Sequence, residues 1–214
     1  MTRQLPYESA VATGRGDDGS TGLLFSGNRV RKDDLRTEAF GTVDEAVAAL
    51  GLARSELLMK EQYGVLTASL GGLRELLLRY QRELFVVGAE LATAPDAADR
   101  QQDGSSRVTA AMVEALDSDL RELEASIELP REFVVPGESR LSATLELART
   151  IVRRAERRAV ALAAVDTAIA DGQVLPYLNR LADLLWILSR VAEHAEARGA
   201  TMARSRRHED THPG

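Results

Sequence analysis

The 214-residue chain has no cysteine, and this absence excludes disulfide bonds, thiolate metal sites and thiol catalysis. Histidine is scarce: only His194, His208 and His212 occur, and the last two lie in a polar C-terminal stretch, so a histidine metal site is not expected. Long apolar runs are missing as well. The longest run without a charged residue, 62–73, is too short to span a bilayer.

Positive charge is in the minority, with 27 Lys and Arg against 33 Asp and Glu and a formal net charge of −6. Binding to nucleic acid in general, or to a membrane surface, needs a basic field, so both functions are disfavoured and any anion site must be local. Arg3 is not followed by an apolar stretch, so no secretory signal is predicted and the cytoplasm is the expected location.

The pattern of apolar residues predicts an all-α fold, an antiparallel five-helix bundle with a Gly-rich N-terminal arm. The arm covers residues 1–35, the bundle forms one domain over 1–214, and residues 199–214 are expected to be a disordered tail. The third helix is expected to be capped by Ser105 or Ser106. The helices are predicted at 35–58, 63–93 with a weak point at Gly71 and Gly72, 108–128, 139–165 and 176–198.

The segment "RTIVRRAERR", residues 149–158, holds five arginines and one glutamate in an acidic chain. On a helix that turns about 100° per residue, an apolar stripe faces the core. The stripe contains Ala148, Ile151, Val152, Ala155, Ala159 and Leu162. Arg149, Arg153 and Arg157, spaced four residues apart, form a row beside this stripe, and Glu156 joins the row. Arg154 and Arg158 fall on a separate face.

Two interpretations of the arginines stay open at this point. All could be solvated surface charges with partners one helical turn away. The row could instead bind a carboxylate or a phosphate, because guanidinium forks match the geometry of both groups and only one acid lies within the decapeptide.

The Gly-rich segment "GDDGSTG", residues 16–22, also has two interpretations. It could be a mobile arm. It could instead cradle a phosphate with backbone N–H groups and with the hydroxyls of Ser20 and Thr21, helped by Lys32. It is neither a Walker loop nor a dinucleotide fingerprint, because no Gly-Lys-Ser/Thr and no strand–turn–helix context follows.

Two further groups of polar residues lie within predicted helices. Glu45 is expected to be a solvated acid, whereas Asp44 is a candidate counter-ion for the arginine row. Asn179, Asp183 and Trp186 share one side of the fifth helix, and Asn179 could be either a site residue or a cap near Pro176.

Four segments together resemble the propanediol-utilisation type of ATP:cob(I)alamin adenosyltransferase, over about Thr13 to Arg190. The segments are "TGRGDDGSTG…RVRK", "FGTVDEAVAALG", "FVVPGESRLSATLELARTIVRRAERR" and "YLNRLADLLWILSR". The resemblance implies a homotrimer of five-helix bundles with active sites between subunits. It implies transfer of the 5′-deoxyadenosyl group of ATP to cob(I)alamin, giving adenosylcobalamin and triphosphate, with Mg²⁺ accompanying ATP. The implied partners include a reductase and an adenosylcobalamin-dependent enzyme.

The resemblance also implies roles for individual residues. Arg153 with the subunit-bridging pair Asp44 and Arg149 would support catalysis, and Phe133 and Asp183 would contact cobalamin, Phe133 at the lower face of the corrin. The implied ATP-binding residues are Thr13, Gly14, Arg15, Gly16, Thr21, Gly22, Lys32, Arg153, Arg154, Glu156, Arg157 and Asn179. Glu146 stands where the family frequently has histidine, so corrin contacts there are expected to differ.

Two hypotheses of other classes remain beside the enzyme. One is a helical bundle that binds nucleotide or cobalamin without turnover. The other is a structural bundle whose arginine row pairs with acids of neighbouring subunits.

Overall fold

The protein is mostly helical in a computed structural model, which describes residues 9–203. The helices are α1 (Leu35–Gln62), α2 (Leu73–Ala92), α3 (Ala110–Ser126), α4 (Arg140–Ala163), α5 (Thr167–Ala170) and α6 (Val174–Ala195). Short 3-10 turns cover Ala68–Leu70 and Pro95–Arg100. Residues 1–8 of the predicted arm and 204–214 of the predicted tail lie outside the described residues.

The helices pack in the order α2, α1, α4, α6 and α3. Glu38 lies beside Arg158 and Glu56 beside Arg140, so α1 and α4 run antiparallel. The apolar stripe predicted for α4 is confirmed, since all its members are buried except the half-buried Ile151. Tyr80 of α2 and Tyr177 of α6 are fully buried in the same core. A helical bundle is therefore confirmed.

Local side chains decide where the long helices begin. The side chain of Asp34 accepts a hydrogen bond from the backbone N–H of Arg36, and Ser139 caps α4 in a reciprocal capping box with Ser142. The predicted caps of α3 were wrong. Thr109 caps this helix, whereas the Ser106 hydroxyl accepts a hydrogen bond from the N–H of Gln102 in the preceding loop.

The second predicted helix was too long at its N-terminal end. Gly72 adopts φ 82°, a left-handed conformation that an α-helix does not contain, and α2 begins only at Leu73. The fourth and fifth predicted helices begin or end a few residues away from α4 and α6, where the last turns fray.

Two small β-ribbons add to the helices, so the all-α prediction needs correction in this detail. In the first, β1 (Ser20–Gly22) pairs antiparallel with β2 (Arg29–Arg31), and in the second β3 (Val134–Val135) pairs antiparallel with β4 (Thr201–Met202). Strands of two or three residues are too short to produce a visible alternation of apolar and polar residues.

Arg36 fastens one end of the bundle. Its guanidinium is buried, donates hydrogen bonds to the carbonyls of Leu91 and Thr93 at 2.8 Å each, and pairs with Asp166 before α5. The start of α1, the end of α2 and the α4–α5 connection are therefore held together beside the arm. No helix within residues 9–203 is both long and apolar enough to cross a membrane.

Candidate functional site

The arginines of α4 face two different neighbours. Arg154 pairs with Glu45 of α1, and the guanidinium of Arg158 lies 3.6 Å from the carboxylate of Glu38, which is also on α1. Glu45 was predicted to be a solvated acid; its side chain is exposed as expected, and it also pairs with Arg154. The separate face predicted for these two arginines is thus the face that packs on α1. Arg154, predicted to bind ATP, is held on this side by its salt bridge.

Arg149 and Arg153 stand on the opposite side, at a cleft of about 350 Å³ between α3, α4 and α6. Asp183 and Trp186 of α6 line the same cleft, together with Arg180. The full lining is Asp117, Leu120, Glu124, Arg149, Arg153, Arg180, Ala182, Asp183, Trp186 and Ile187. The cleft combines an aromatic surface with guanidinium groups, which suits a ligand that carries both a flat ring and negative charge.

The cationic side chains at the cleft differ in their partners. Arg180 pairs with Asp117 and lies 3.9 Å from Asp183. The Nε of Arg149 donates to Glu146 Oε2 at 2.7 Å. Within residues 9–203 no acidic group lies within salt-bridge distance of Arg153, whose side chain is exposed. Arg153 is therefore ready to bind an anion without first breaking an ion pair described here.

Glu156 and Asn179 join the two helices at the arm end of the α4–α6 pair. The side-chain amide of Asn179 donates to Glu156 Oε1 at 3.0 Å. Asn179 lies inside α6, so its interpretation as a helix cap was wrong. Arg157 is exposed on the next face, and its guanidinium donates to the carbonyl of Arg153 at 3.0 Å. The hydrogen bond from Asn179 to Glu156 accounts for an asparagine within α6, since asparagine is disfavoured inside helices.

The Gly-rich arm is held in its fold by two cationic side chains, one in β2 and one directly after it. The guanidinium of Arg29 donates to the carbonyl of Arg15 at 2.7 Å and to the carbonyl and hydroxyl of Ser20 at 3.0 and 2.8 Å. The ammonium of Lys32 donates to the carbonyl of Gly16 at 2.9 Å. A Cβ at position 16 would stand 2.9 Å from that ammonium nitrogen, so glycine allows this close approach.

Other predicted arm residues lie along the same loop. Thr13 is exposed, and Gly14 has φ 67°, a left-handed conformation. Thr21 and Gly22 belong to β1, where Thr21 stands opposite Val30. The arm is attached to the bundle because the N–H of Leu24 donates to the carbonyl of Ala92 at 2.9 Å. Seven predicted residues therefore lie in one structured loop and ribbon, next to the start of α1.

Asp44 is exposed on α1, and its side chain makes no hydrogen bond or salt bridge with Arg149 or any other residue in the described part of the chain. Partial burial raises the pKa of the Asp44 carboxyl above its usual value. Within one chain, Asp44 is thus a carboxylate that is partly shielded from water and lacks a described cation.

Phe133 is 87% exposed, immediately before β3. Its carbonyl accepts a hydrogen bond from Ala203 beyond β4, at 2.7 Å. Val135 and Met202 of the same ribbon are also exposed. All three are large apolar side chains that stand exposed on or beside the ribbon, away from the packed core. Phe133 does not line the cleft that contains Arg153.

Comparison with known proteins identifies the family to which the chain belongs. The family model described as cobalamin adenosyltransferase matches residues 11–192. The chain is a member of the cobalamin adenosyltransferase family. The match covers the arm from residue 11 onward, the arginine helix α4 and nearly all of α6, so it contains every predicted site residue.

Relatives with known names agree with this membership. The chain is 40% identical over 184 residues to a corrinoid adenosyltransferase of Mycobacterium tuberculosis, which covers 85% of this chain and 88% of the relative. It is 36% identical over 183 residues to a corrinoid adenosyltransferase of Citrobacter freundii, covering 86% and 94%. A PduO corrinoid adenosyltransferase of Salmonella typhimurium is 37% identical over 198 residues, with 91% of this chain and 53% of that longer protein covered.

Solved structures agree as well. A PduO-type ATP:corrinoid adenosyltransferase variant of Lactobacillus reuteri, with arginine replaced by lysine and ATP bound, superposes with a TM-score of 0.73 at 27% identity over 91% of this chain and all of that one. A second variant, with phenylalanine replaced by histidine and with cobalamin and ATP bound, gives 0.74 at 26% identity, covering 91% and 97%. The predicted membership of the PduO type is confirmed.

Sequence reasoning missed several residues of this candidate site. Arg180 lines the cleft and Arg29 folds the arm, yet neither was singled out. Arg180 lies within the segment "YLNRLADLLWILSR", and its position beside Asn179 on a helix that also carries Asp183 and Trp186 was the available signal. For Glu45 and Glu146 the signal was weaker, because their partners become apparent only when α1, α4 and α6 are packed together.

Proposed function

We propose that the protein transfers the 5′-deoxyadenosyl group of ATP to cob(I)alamin, at a site centred on Arg149 and Arg153 and completed by a neighbouring subunit. The observation that carries this proposal is the exposed guanidinium of Arg153, which has no ionic partner among residues 9–203 and stands at a cleft lined by Arg149 and Trp186. Membership of the cobalamin adenosyltransferase family supplies the reaction.

The chemistry suits a site without a protein nucleophile. The cobalt of cob(I)alamin supplies the electron pair and attacks C5′ of ATP, so a cobalt–carbon bond forms while the bond from C5′ to the triphosphate oxygen breaks. The triphosphate leaves with that bond's electron pair, and the cobalt goes from the +1 to the +3 state. Guanidinium groups already in place stabilise the charge that grows on triphosphate in the transition state.

ATP would lie between the arginine row and the arm. We assign Arg153, Arg157 and the Glu156–Asn179 pair to ATP, with Arg154 reaching it only if the salt bridge to Glu45 opens. The arm residues Thr13, Gly14, Arg15, Gly16, Thr21, Gly22 and Lys32 would close over the nucleotide. Because Lys32 already lies against the carbonyl of Gly16, its charge is held at the loop before ATP arrives.

Mg²⁺ would come to the site with the phosphates of ATP. The described residues contain no group of three acidic, histidine or cysteine side chains that could hold a metal ion. Mg²⁺ commonly keeps several waters and binds through substrate phosphates with one or two carboxylates, so a protein cage is not required.

Cobalamin would be held by Phe133 and Asp183. Phe133 is a large apolar side chain that stands exposed just before the ribbon, where it can contact a large ligand. At the lower face of the corrin it would keep a nitrogen ligand off the cobalt, which makes reduction easier. Asp183 lines the cleft and offers an acceptor to corrin amides.

A homotrimer of five-helix bundles would bring Asp44 to Arg149. Arg149 lines the cleft and Asp44 does not, and the two make no salt bridge within one chain's described residues. A surface that binds a different surface of the next copy generates a ring when the rotation between copies closes, and a three-membered ring would form three such sites. We place this assembly in the cytoplasm, where a reductase would supply cob(I)alamin and an adenosylcobalamin-dependent enzyme would use the product.

The activity is tested under anaerobic conditions with ATP and chemically reduced cobalamin, by following the loss of cob(I)alamin absorbance and the appearance of adenosylcobalamin and triphosphate. We expect turnover that depends on both substrates. Folded protein that binds ATP and cobalamin without forming the cobalt–carbon bond would show that it is a carrier and not a transferase.

The interfacial pair is tested by mixing subunits. Asp44→Ala and Arg149→Ala should each keep only a small but measurable fraction of wild-type activity alone. After joint refolding in equal amounts, about a quarter of wild-type activity should return, since each head-to-tail interface receives both intact partners in roughly one case of four. If both residues act within one chain, mixing will restore nothing.

A further inference from the structure

A line of four charged side chains runs from the cleft into the core between α4 and α6, and we call it the buried charge chain. It consists of Arg149, Glu146, Arg190 and Glu193. Glu146 Oε2 accepts from Arg149 Nε at 2.7 Å, Arg190 donates to Glu146 Oε1 at 3.3 Å, and the guanidinium of Arg190 lies 3.0 Å from the Glu193 carboxylate. The Arg149 side chain is 25% exposed, whereas the other three are 3–6% exposed.

Glu146 uses its two oxygens for different purposes. Oε1 accepts hydrogen bonds from the hydroxyl of Ser189 at 3.0 Å and from Arg190, both on α6. Oε2 therefore remains available to accept a hydrogen bond from Arg149. A buried carboxylate is tolerated only when its oxygens are paired, so these contacts determine its orientation. The Nε–H of Arg149 already donates to Glu146, so the two terminal nitrogens of Arg149 remain to bind another ligand.

Arg190 is linked to the cleft by a second route. Its guanidinium carbon lies 5.8 Å from the centre of the Trp186 ring, and Trp186 lines the same cleft as Arg149. A guanidinium at this distance interacts favourably with an indole ring. Two cleft residues, Arg149 and Trp186, are therefore supported by the same buried group.

We propose that Glu146 is a positioning residue for adenosyl transfer, one that acts through Arg149. It holds the guanidinium of Arg149 so that the terminal nitrogens face the cleft and the neighbouring subunit. This inference rests on the proposed function, since it assigns a task to a residue behind that site. Orienting a cationic group before the substrate arrives lowers the cost of reorganisation during the reaction.

The test is a double-mutant cycle with Glu146→Ala, Arg149→Ala and the double variant, and each kcat/KM is measured for both substrates. Glu146→Ala should lower kcat/KM roughly tenfold or more, as expected for a lost hydrogen bond between charged groups. In the Arg149→Ala background the same change should have almost no further effect, because the residue it acts through is gone.

Two more variants, a conservative substitution of Glu146 and a matched control, are measured beside the cycle. Glu146→Gln keeps the size of the side chain but has only one acceptor oxygen for its two sets of donors, so its kcat/KM should fall between wild type and Glu146→Ala. It also replaces Glu146→Ala in the cycle if that variant does not fold. Glu114→Ala removes an exposed glutamate of α3 and should match wild type in both activity and melting temperature.

Subunit association, measured by analytical ultracentrifugation, gives a second readout of the same cycle, because Arg149 is proposed to pair with Asp44 of the next subunit. Equal losses from Glu146→Ala in both backgrounds would mean that it acts independently of Arg149 and would overturn the inference, as would wild-type kinetics in Glu146→Ala. If wild-type protein shows no turnover, the proposed function fails, and the association constants of the four proteins still decide whether Glu146 acts through Arg149. Wild-type protein that stays monomeric overturns both.

Discussion

Replacement of Arg153 by alanine should separate catalysis from stability. Its exposed guanidinium makes no salt bridge within the described residues, and only its backbone carbonyl accepts a hydrogen bond, from Arg157. Alanine is also the best helix former, so the backbone of α4 should not suffer. We expect the free energy of unfolding to change by no more than about 0.5 kcal/mol.

The catalytic effect should be far larger. If Arg153 binds the triphosphate where charge develops, its loss removes a charge-assisted contact that is strongest in the transition state. Loss of one such donor in comparable sites costs roughly 10²–10³ in kcat. That range corresponds to about 3–4 kcal/mol of activation free energy, several times the expected change in stability.

The assay compares wild type with three variants under anaerobic conditions, with single-turnover rates at saturating ATP and cob(I)alamin. Arg153→Lys keeps the charge but loses the planar fork, so its rate should fall between wild type and Arg153→Ala. Arg82→Ala is the matched control, because Arg82 is an exposed arginine within α2, away from the cleft. Urea unfolding of all four proteins supplies the stability comparison.

Two results would refute this reasoning. If Arg153→Ala turned over at the rate of Arg82→Ala, Arg153 would not contact the developing charge. If it lost activity and several kcal/mol of stability together, the loss would reflect the fold, and the absence of a described partner would have been misleading.

Three further predictions concern the parts that hold the site. Arg36→Ala should lower the free energy of unfolding by about 3–5 kcal/mol in urea titration, because it leaves Asp166 and two carbonyls without their buried partner. Burial raises the pKa of the Glu90 carboxyl above its usual 4.5, so folded protein binds a proton there that unfolded protein releases. Wild type should thus lose stability relative to Glu90→Gln as the pH rises from 4.5 through the folded pKa. The measurement is the melting temperature of both proteins over this pH range, and a constant difference between the two melting temperatures would contradict the prediction. Gly16→Ala should displace the flexible end of Lys32 and raise the KM for ATP a few-fold with little change in melting temperature, and an unchanged KM would argue against a role for Lys32.

The interior of α4 was predictable from its sequence. The stripe through Ala148, Val152 and Ala155 follows the helical repeat, which depends only on the rotation per residue, and its residues are buried as expected. The same geometry separated Arg153 from Arg154 correctly. The break before α2 could also be anticipated, because two adjacent glycines weaken any helix.

Caps and short ribbons were less predictable. Ser105, Ser106 and Thr109 are all chemically suitable caps for α3, and the choice depends on where the preceding loop leaves the chain. The ribbon of β3 and β4 joins residues 134–135 to residues 201–202, which no local pattern connects. The same holds for Arg36, whose partners at Leu91 and Asp166 belong to distant segments.

The sequence by itself determined the helical repeat, the row of arginines beside a core-facing stripe, and the family to which these belong. Tertiary structure decided the partner of each arginine. Arg154 is paired with Glu45 across 109 positions of sequence, Arg149 is held by Glu146, which Ser189 of α6 orients, and Arg153 is left facing the cleft. The physical reason is that periodicity assigns a side chain to a face, whereas its partner depends on which helix covers that face and in which register.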